Sequence, residues 1–168
     1  MELRLLSRSD KNQALLAHRE LAAEQFDFLF SYDDGLDWVE YLEKVEDTRQ
    51  GRNLPEEHVP ATFLIAEVDG DLVGRISIRH SLNSFLRTVG GHIGYAVRPQ
   101  FRRRGYAQEM LKHALVEAKR LGIDHVLVTC DADNLGSRTT IERCGGVLEA
   151  PLTAGTAETV KLRYWIDT

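Results

Sequence analysis

Cysteine is scarce in this chain of 168 residues, which has only Cys130 and Cys144. Two are too few for a disulfide scaffold, and neither has a ligand partner at metal-motif spacing. Both read as reduced thiols, and no metal is expected. Long hydrophobic runs are also missing: nothing approaches the roughly 20 apolar residues that span a bilayer. Met1–Leu6 alternates and soon meets charge, unlike a signal peptide. These absences predict a cytoplasmic protein with no membrane partner. Basic excess is lacking too. The formal net charge of −5 argues against general nucleic-acid binding. There is no Walker glycine-lysine pattern, no strand followed by Gly-x-Gly-x-x-Gly, and no triad spacing. Repeats, low-complexity tracts and linkers are absent, so the expectation is a single domain over residues 1–168.

What is present reads as alternating strands and helices. Met1–Leu6 has the alternation of a first strand. A helix capped by Ser9 or Asp10 runs to about Gln25, and a second covers Leu36–Thr48. Residues 49–60 read as loop. Ala61–Val68 and Leu72–His80 form a hairpin about Asp69-Gly70-Asp71, and Ser81–Gly91 connects it to a strand at His92–Val97. The longest helical pattern starts near Gly105 and carries Ala107, Met110, Leu111, Ala114, Leu115, Ala118 and Leu121 on one face. Ile123–Cys130 is the next strand, and the helical crossover makes it parallel to the His92 strand. A helix over Leu135–Arg143 follows, then a short strand at Val147–Ala150, a loop at Pro151–Ala157 and a strand at Glu158–Ile166. The fold class predicted is α/β, a mixed twisted sheet with helices on both faces.

The stretch from His92 to Leu121 carries the chemistry. Pro99 stops strand pairing. Arg102, Arg103 and Arg104 then precede Gly105, Tyr106 and the small Ala107, where the long helix begins. Unpaired backbone N–H groups and the helix dipole gather positive charge at such a start. With three guanidiniums added and no side chain on Gly105, the turn suits a phosphate or diphosphate. Parallel neighbours that splay beyond it would leave backbone groups free for an extended ligand.

Arg102-Arg103-Arg104-Gly105-Tyr106-Ala107 resembles the (Arg/Gln)-x-x-Gly-x-(Gly/Ala) signature of the GNAT superfamily of N-acetyltransferases. Asn134-Leu135-Gly136-Ser137 through Gly145-Gly146 is similar to that family's next helix. The likeness covers roughly residues 61–150, and the Thr129–Asn134 run is similar to that of a poorly characterised bacterial branch. The resemblance implies a GNAT-like acyl-CoA transferase fold with acetyl-CoA as cosubstrate. It places the diphosphate on the Arg102–Ala107 turn, with the amides of 103–107 on the phosphates, and the pantetheine arm against backbone of Ala96 and Val97, where the strand ends in a bulge. Asn134 and Ser137 would contact the cofactor. The activity implied is acetyl transfer to a primary amine of a small molecule or peptide, by direct attack in a ternary complex. A homodimer through exposed strand edges is compatible with the family.

The chain departs from the family at one position. A tyrosine often stands seven residues after the motif asparagine, and here that residue is Ile141, which has no proton to give. Tyr164 or Tyr106 would have to supply one from elsewhere, or a water would. For the base, His92 has a suitable intrinsic pKa; His92, Gly94 and Ala96 share one strand face, and Tyr95 shares the other with Ile93 and Val97. His92 and Tyr95 are therefore the catalytic candidates, with Glu67 and His80 behind them. Ile141 and the want of a clear base also leave open a non-catalytic acyl-CoA-binding or sensory module. Between Glu20 and Gln50 stand Glu20, Glu24, Asp27, Asp33, Asp34, Asp37, Glu40, Glu43, Glu46 and Asp47 against only Lys44 and Arg49. Such a rim would favour a cationic acceptor, unless these are solvated helix faces.

Overall fold

The computed structural model describes residues 1–149 and 161–168. Its strands are β1 (Glu2–Leu5), β2 (Ala61–Val68), β3 (Asp71–Arg79), β4 (Ile93–Val97), β5 (His125–Asp131), β6 (Val147–Leu148) and β7 (Lys161–Asp167). The α-helices are α1 (Lys11–Ala22), α2 (Trp38–Gln50), α3 (Tyr106–Arg120) and α4 (Leu135–Arg143). The strands form one seven-stranded sheet in the order β1-β2-β3-β4-β5-β7-β6. Every pair is antiparallel except β4 with β5. The α/β class and mixed sheet match the sequence expectation. The loop expected at Pro151–Ala157 lies outside the described residues, as do Ala150 and the first part of the strand expected at Glu158–Ile166.

Two apolar layers sandwich the sheet. On one face Ile76, Ile78, Ile93, Val126 and Val128 meet Met110, Leu111, Ala114 and Ala118 of α3 and Ile141 of α4. On the other, Phe63, Ile65 and Leu72 meet Ala14, Ala17 and Leu21 of α1 and Trp38 and Tyr41 of α2. Helices therefore cover both faces, as alternation within the strands requires. The β2–β3 hairpin turns through Asp69 and Gly70, both at positive φ (52° and 85°), which matches the right-handed twist of the strands it joins. α2 begins at Asp37, whose carboxylate accepts the N–H groups of Val39 (2.8 Å) and Glu40 (3.3 Å), and it ends on Gly51 at φ 70°.

Three local differences separate structure from expectation. α1 stops at Ala22, three residues early, and the chain turns through Gln25 at φ 58°. α2 is displaced by two residues, from Leu36–Thr48 to Trp38–Gln50, because Asp37 caps it. The register of β3 with β4 runs unbroken from Gly74↔Val97 to Ile78↔Ile93, so β4 carries no bulge. The irregularity falls instead between Ala66 and Glu67 on β2.

Candidate functional site

β4 and β5 are in register only at Ile93↔Val128, and beyond Ile93 they part. The closed end is held by His92, whose N–H donates to Leu127 O (2.7 Å). Arg98 N–H donates to Val73 O and Arg79 N–H to His92 O. Antiparallel alternation then assigns the backbone groups of Ala96 to Arg75 across the β3–β4 ladder. Those of Tyr95 and Val97 point the other way, into the gap toward β5. Of the two backbones expected to face a ligand, that of Val97 turns toward the gap, while the groups of Ala96 are turned toward β3. Val97 O already accepts Arg102 Nε (3.0 Å).

The turn after β4 gathers backbone N–H groups on one side. Arg103 and Gly105 take positive φ (64° and 85°), so successive N–H groups converge instead of alternating. Among the described residues the amides of 103–107 donate to no protein acceptor, whereas those of Gln108 and Glu109 return to Gly105 O. Nothing lies within 4 Å of a Cβ placed on Gly105. The three arginines differ in their surroundings. Arg102 forks onto Glu24 (2.9 and 2.6 Å) and so ties the turn to the end of α1. This pairing holds the Glu24 carboxyl below its usual range. Arg104 donates to Gln100 O (3.3 Å) and lies over the Phe101 ring. Arg103 is exposed. Tyr106 and Ala107 sit partly buried in the first turn of α3.

The opposite wall of the gap is the start of α4. Asn134 caps that helix, its Oδ1 accepting Ser137 N–H at 2.9 Å. Ser137 Oγ lies 2.9 Å from the Tyr95 hydroxyl, joining α4 to β4. Burial first of all raises the Tyr95 phenol to about 12, so it stays protonated at neutral pH. Ile141 is fully buried in the apolar core beneath. Tyr164 is also buried and donates to Glu142 Oε1 (2.9 Å).

His92 is placed differently from what its residue type suggests. Its Nδ1 accepts the buried Leu127 N–H at 2.9 Å, and the residue is 7% exposed. Burial, with Arg87 and Arg79 nearby, lowers its pKa to about 4. It sits at the closed end of the gap, two residues before Gly94. Glu67 is bound to Arg4, and His80 Nε2 lies 2.9 Å from Thr62 Oγ1. Within the acidic stretch, Glu20 pairs with Arg98, Glu24 with Arg102, Glu46 with Arg49 and Asp47 with Arg52, and Asp37 caps a helix.

Sequence reasoning missed a polar row on β3. Arg75, Ser77 and Arg79 alternate onto the α1–α2 face, next to Ala96 and Gly94 of β4. Arg75 Nη1 donates to Ser77 Oγ (3.0 Å) and Nη2 to Asp27 O (2.9 Å). Its guanidinium lies 4.7 Å from the centre of the Phe26 ring and 5.5 Å from that of Phe63. Burial and the charge of Arg79 pull it down to about 10, which leaves it charged. The signal was in the run Arg75-Ile76-Ser77-Ile78-Arg79: polar residues at period two in a strand covered on both faces mark a site or a buried network.

No curated protein matches the chain. Solved structures similar in fold include an N-acetyltransferase from Staphylococcus aureus Mu50, 18% identical, TM-score 0.66, covering 99% of this chain and 97% of that one. YncA of Salmonella typhimurium, a putative acetyltransferase solved with its cofactor acetyl-CoA, is 17% identical, TM-score 0.65, covering 99% and 92%. The microcin C7 self-immunity acetyltransferase, solved with acetyl-CoA and AMP, is 19% identical, TM-score 0.66, covering 99% and 91%. The family model for the acetyltransferase (GNAT) family matches residues 18–146, a span that contains the gap, the Gly105 turn and the α4 cap. The chain belongs to the GNAT family of acetyltransferases.

Proposed function

We propose that this protein transfers the acetyl group of acetyl-CoA to a primary amine by direct attack within a ternary complex, as a single domain over residues 1–168. The observation that carries this reading is the row of unpaired amides at 103–107 beside the open β4–β5 gap. A diphosphate at the cradle and an amide-bearing arm in the gap would satisfy both sets of backbone groups.

Acetyl-CoA supplies the thioester and its thiolate leaving group. The amides of 103–107, with Arg103 and Arg104, hold the phosphates. Arg102 keeps the turn in place through Val97 O and Glu24. Val97 N–H and Tyr95 C=O pair with the arm, and Val97 N–H is the donor for the reacting carbonyl. Ala96 acts through its small side chain on the acceptor face. Asn134 fixes the start of α4, and Ser137 orients the Tyr95 hydroxyl. Tyr95 is the proton donor to the thiolate: its hydroxyl lies beside Ser137 at the start of α4, and the phenol is protonated at neutral pH. His92 takes no part in proton transfer in this reading; it fixes the closed end. The amine loses its proton to water.

Acetyl-CoA titration by calorimetry, followed by free-thiol release across a panel of amines, tests the proposal. Binding with amine-dependent release is expected. Gly105→Glu places a charged side chain over the cradle and should weaken acetyl-CoA binding by at least ~100-fold, since a lost anion site and a like charge add. Unchanged affinity in that folded variant would remove the cradle. One observation favours a second reading, an acyl-CoA sensor: among the described residues no base faces the gap. Tight binding without release for any amine would select it.

A further inference from the structure

Arg75 and Arg79 form no ion pair among the described residues, although the sheet and the α1–α2 segment enclose them. Arg75 is 7% exposed, and a guanidinium buried that far normally meets a carboxylate. Its Nε has no hydrogen-bond partner among the described residues. The donors it does use go to neutral oxygens, Ser77 Oγ and Asp27 O. Arg79 likewise donates to the carbonyls of Gly90 and Gly91 (3.1 and 3.2 Å). Its guanidinium lies 3.6–3.7 Å from where a Cβ on Gly94 would stand.

The position of this charge matters. Arg75 is paired with Ala96, and Ser77 with Gly94, so the row lies one strand, about 5 Å, from the edge that borders the gap. It faces the side opposite α3, away from the phosphate cradle. The floor is shallow because Gly94 and Ala96 are small. Phe26 and Phe63 lie with their ring centres 4.7 and 5.5 Å from the Arg75 guanidinium, so an acceptor group would meet it at its in-plane N–H edge, where the buried Nε lacks a partner among the described residues. An in-plane fork suits a carboxylate.

We infer that Arg75, supported by Arg79 and Ser77, receives a carboxylate of the acceptor. Resting on the acetyl-transfer reading, this makes the acceptor a small amino acid rather than a polyamine or a peptide N-terminus. The short span from the Arg75–Ala96 pair to the gap fits an amine and a carboxylate in one compact molecule.

The test uses the whole protein saturated with coenzyme A. The Arg75 Nε–H resonance is identified by its loss in Arg75→Lys. The common α-amino acids and their primary amides are then titrated separately. At least one acid should shift this resonance while its amide leaves it in place. Arg75→Met should weaken binding of that acid by about 10- to 100-fold, the range for a charge-assisted hydrogen bond, with coenzyme A affinity preserved. If no acid moves the resonance, or acid and amide move it alike, the inference is overturned and Arg75 is a strut for the α1–α2 segment. Thiol release from acetyl-CoA is followed in parallel. A shift without release keeps the carboxylate site and removes the transferase reading; release with simple alkyl amines and no response to any acid does the reverse.

Discussion

At the scale of single residues, a histidine, a tyrosine and an isoleucine bear on the proposed site. His92 is a folding residue whose neutral ring accepts the Leu127 N–H. Its pKa falls from about 6.5 unfolded to about 4 folded, so the neutral form is preferred by the native state. The stability this gives is complete above the unfolded pKa and is lost as pH falls from about 6.5 toward 4, up to roughly 3 kcal/mol in all. Unfolding free energies of wild type and His92→Gln across that range should converge at the acid end; parallel curves would remove the argument. Tyr95→Phe keeps the ring and deletes the proton. It should lower kcat by ~10- to 100-fold, near the low end for general-acid loss, with acetyl-CoA affinity unchanged by calorimetry. Ile141→Tyr would restore the family's residue type in a fully buried position. It should cost about 1–3 kcal/mol by overpacking, measured by urea melts, and should not raise turnover. Side-chain identities were legible in the sequence; the partner of His92, a backbone N–H thirty-five residues away, was not, because nothing local encodes it.

At the scale of elements, local signals served where one period dominated. α3, with its apolar stripe and glycine start, and the β2–β3 hairpin are where their residues put them. The end of α1 and the start of α2 were misjudged because capping turned on single side chains and on a positive-φ turn at Gln25. The polar row on β3 went unread for a different reason. Its apolar partners, Ile76 and Ile78, are enough to define the strand, and nothing local shows that the alternate face carrying Arg75 and Arg79 is covered as well. That face proved covered by α1, α2 and the segment between them. β3 and β4 also meet unusually closely at Gly74, where an added Cβ would stand 2.5 Å from Ala96 O. Gly74→Ala should push β4 outward, lower stability by about 1–3 kcal/mol and weaken acetyl-CoA binding through the displaced Val97. Calorimetry with ligand and chemical denaturation separate the two effects.

At the scale of the whole molecule, the formal charge of −5 coexists with a basic turn that the proposed function assigns to a polyanion. Attraction is therefore local. Acetyl-CoA affinity should fall as salt rises from about 0.05 to 0.5 M, where the Debye length shrinks from over 10 Å to a few, and Arg103→Ala with Arg104→Ala should flatten that dependence. A single sheet shared by both apolar layers should unfold in one calorimetric transition, and two resolved transitions would argue against the one-domain reading. No helix is long and apolar enough to cross a membrane among the described residues.

The strand order has a consequence for synthesis. β5 meets β6 only through β7, which is inserted between them although it is made after both. While residues 161–167 are still to emerge, a growing chain exposes the full hydrogen-bonding edge of β5, and β6 has nothing to pair with. The apolar Val126 and Val128 then sit on an open strand, the kind of edge that recruits other chains. The ribosome therefore presents a cradle and half a cleft before it presents a closed sheet, and chaperone contact in that interval should fall on β5.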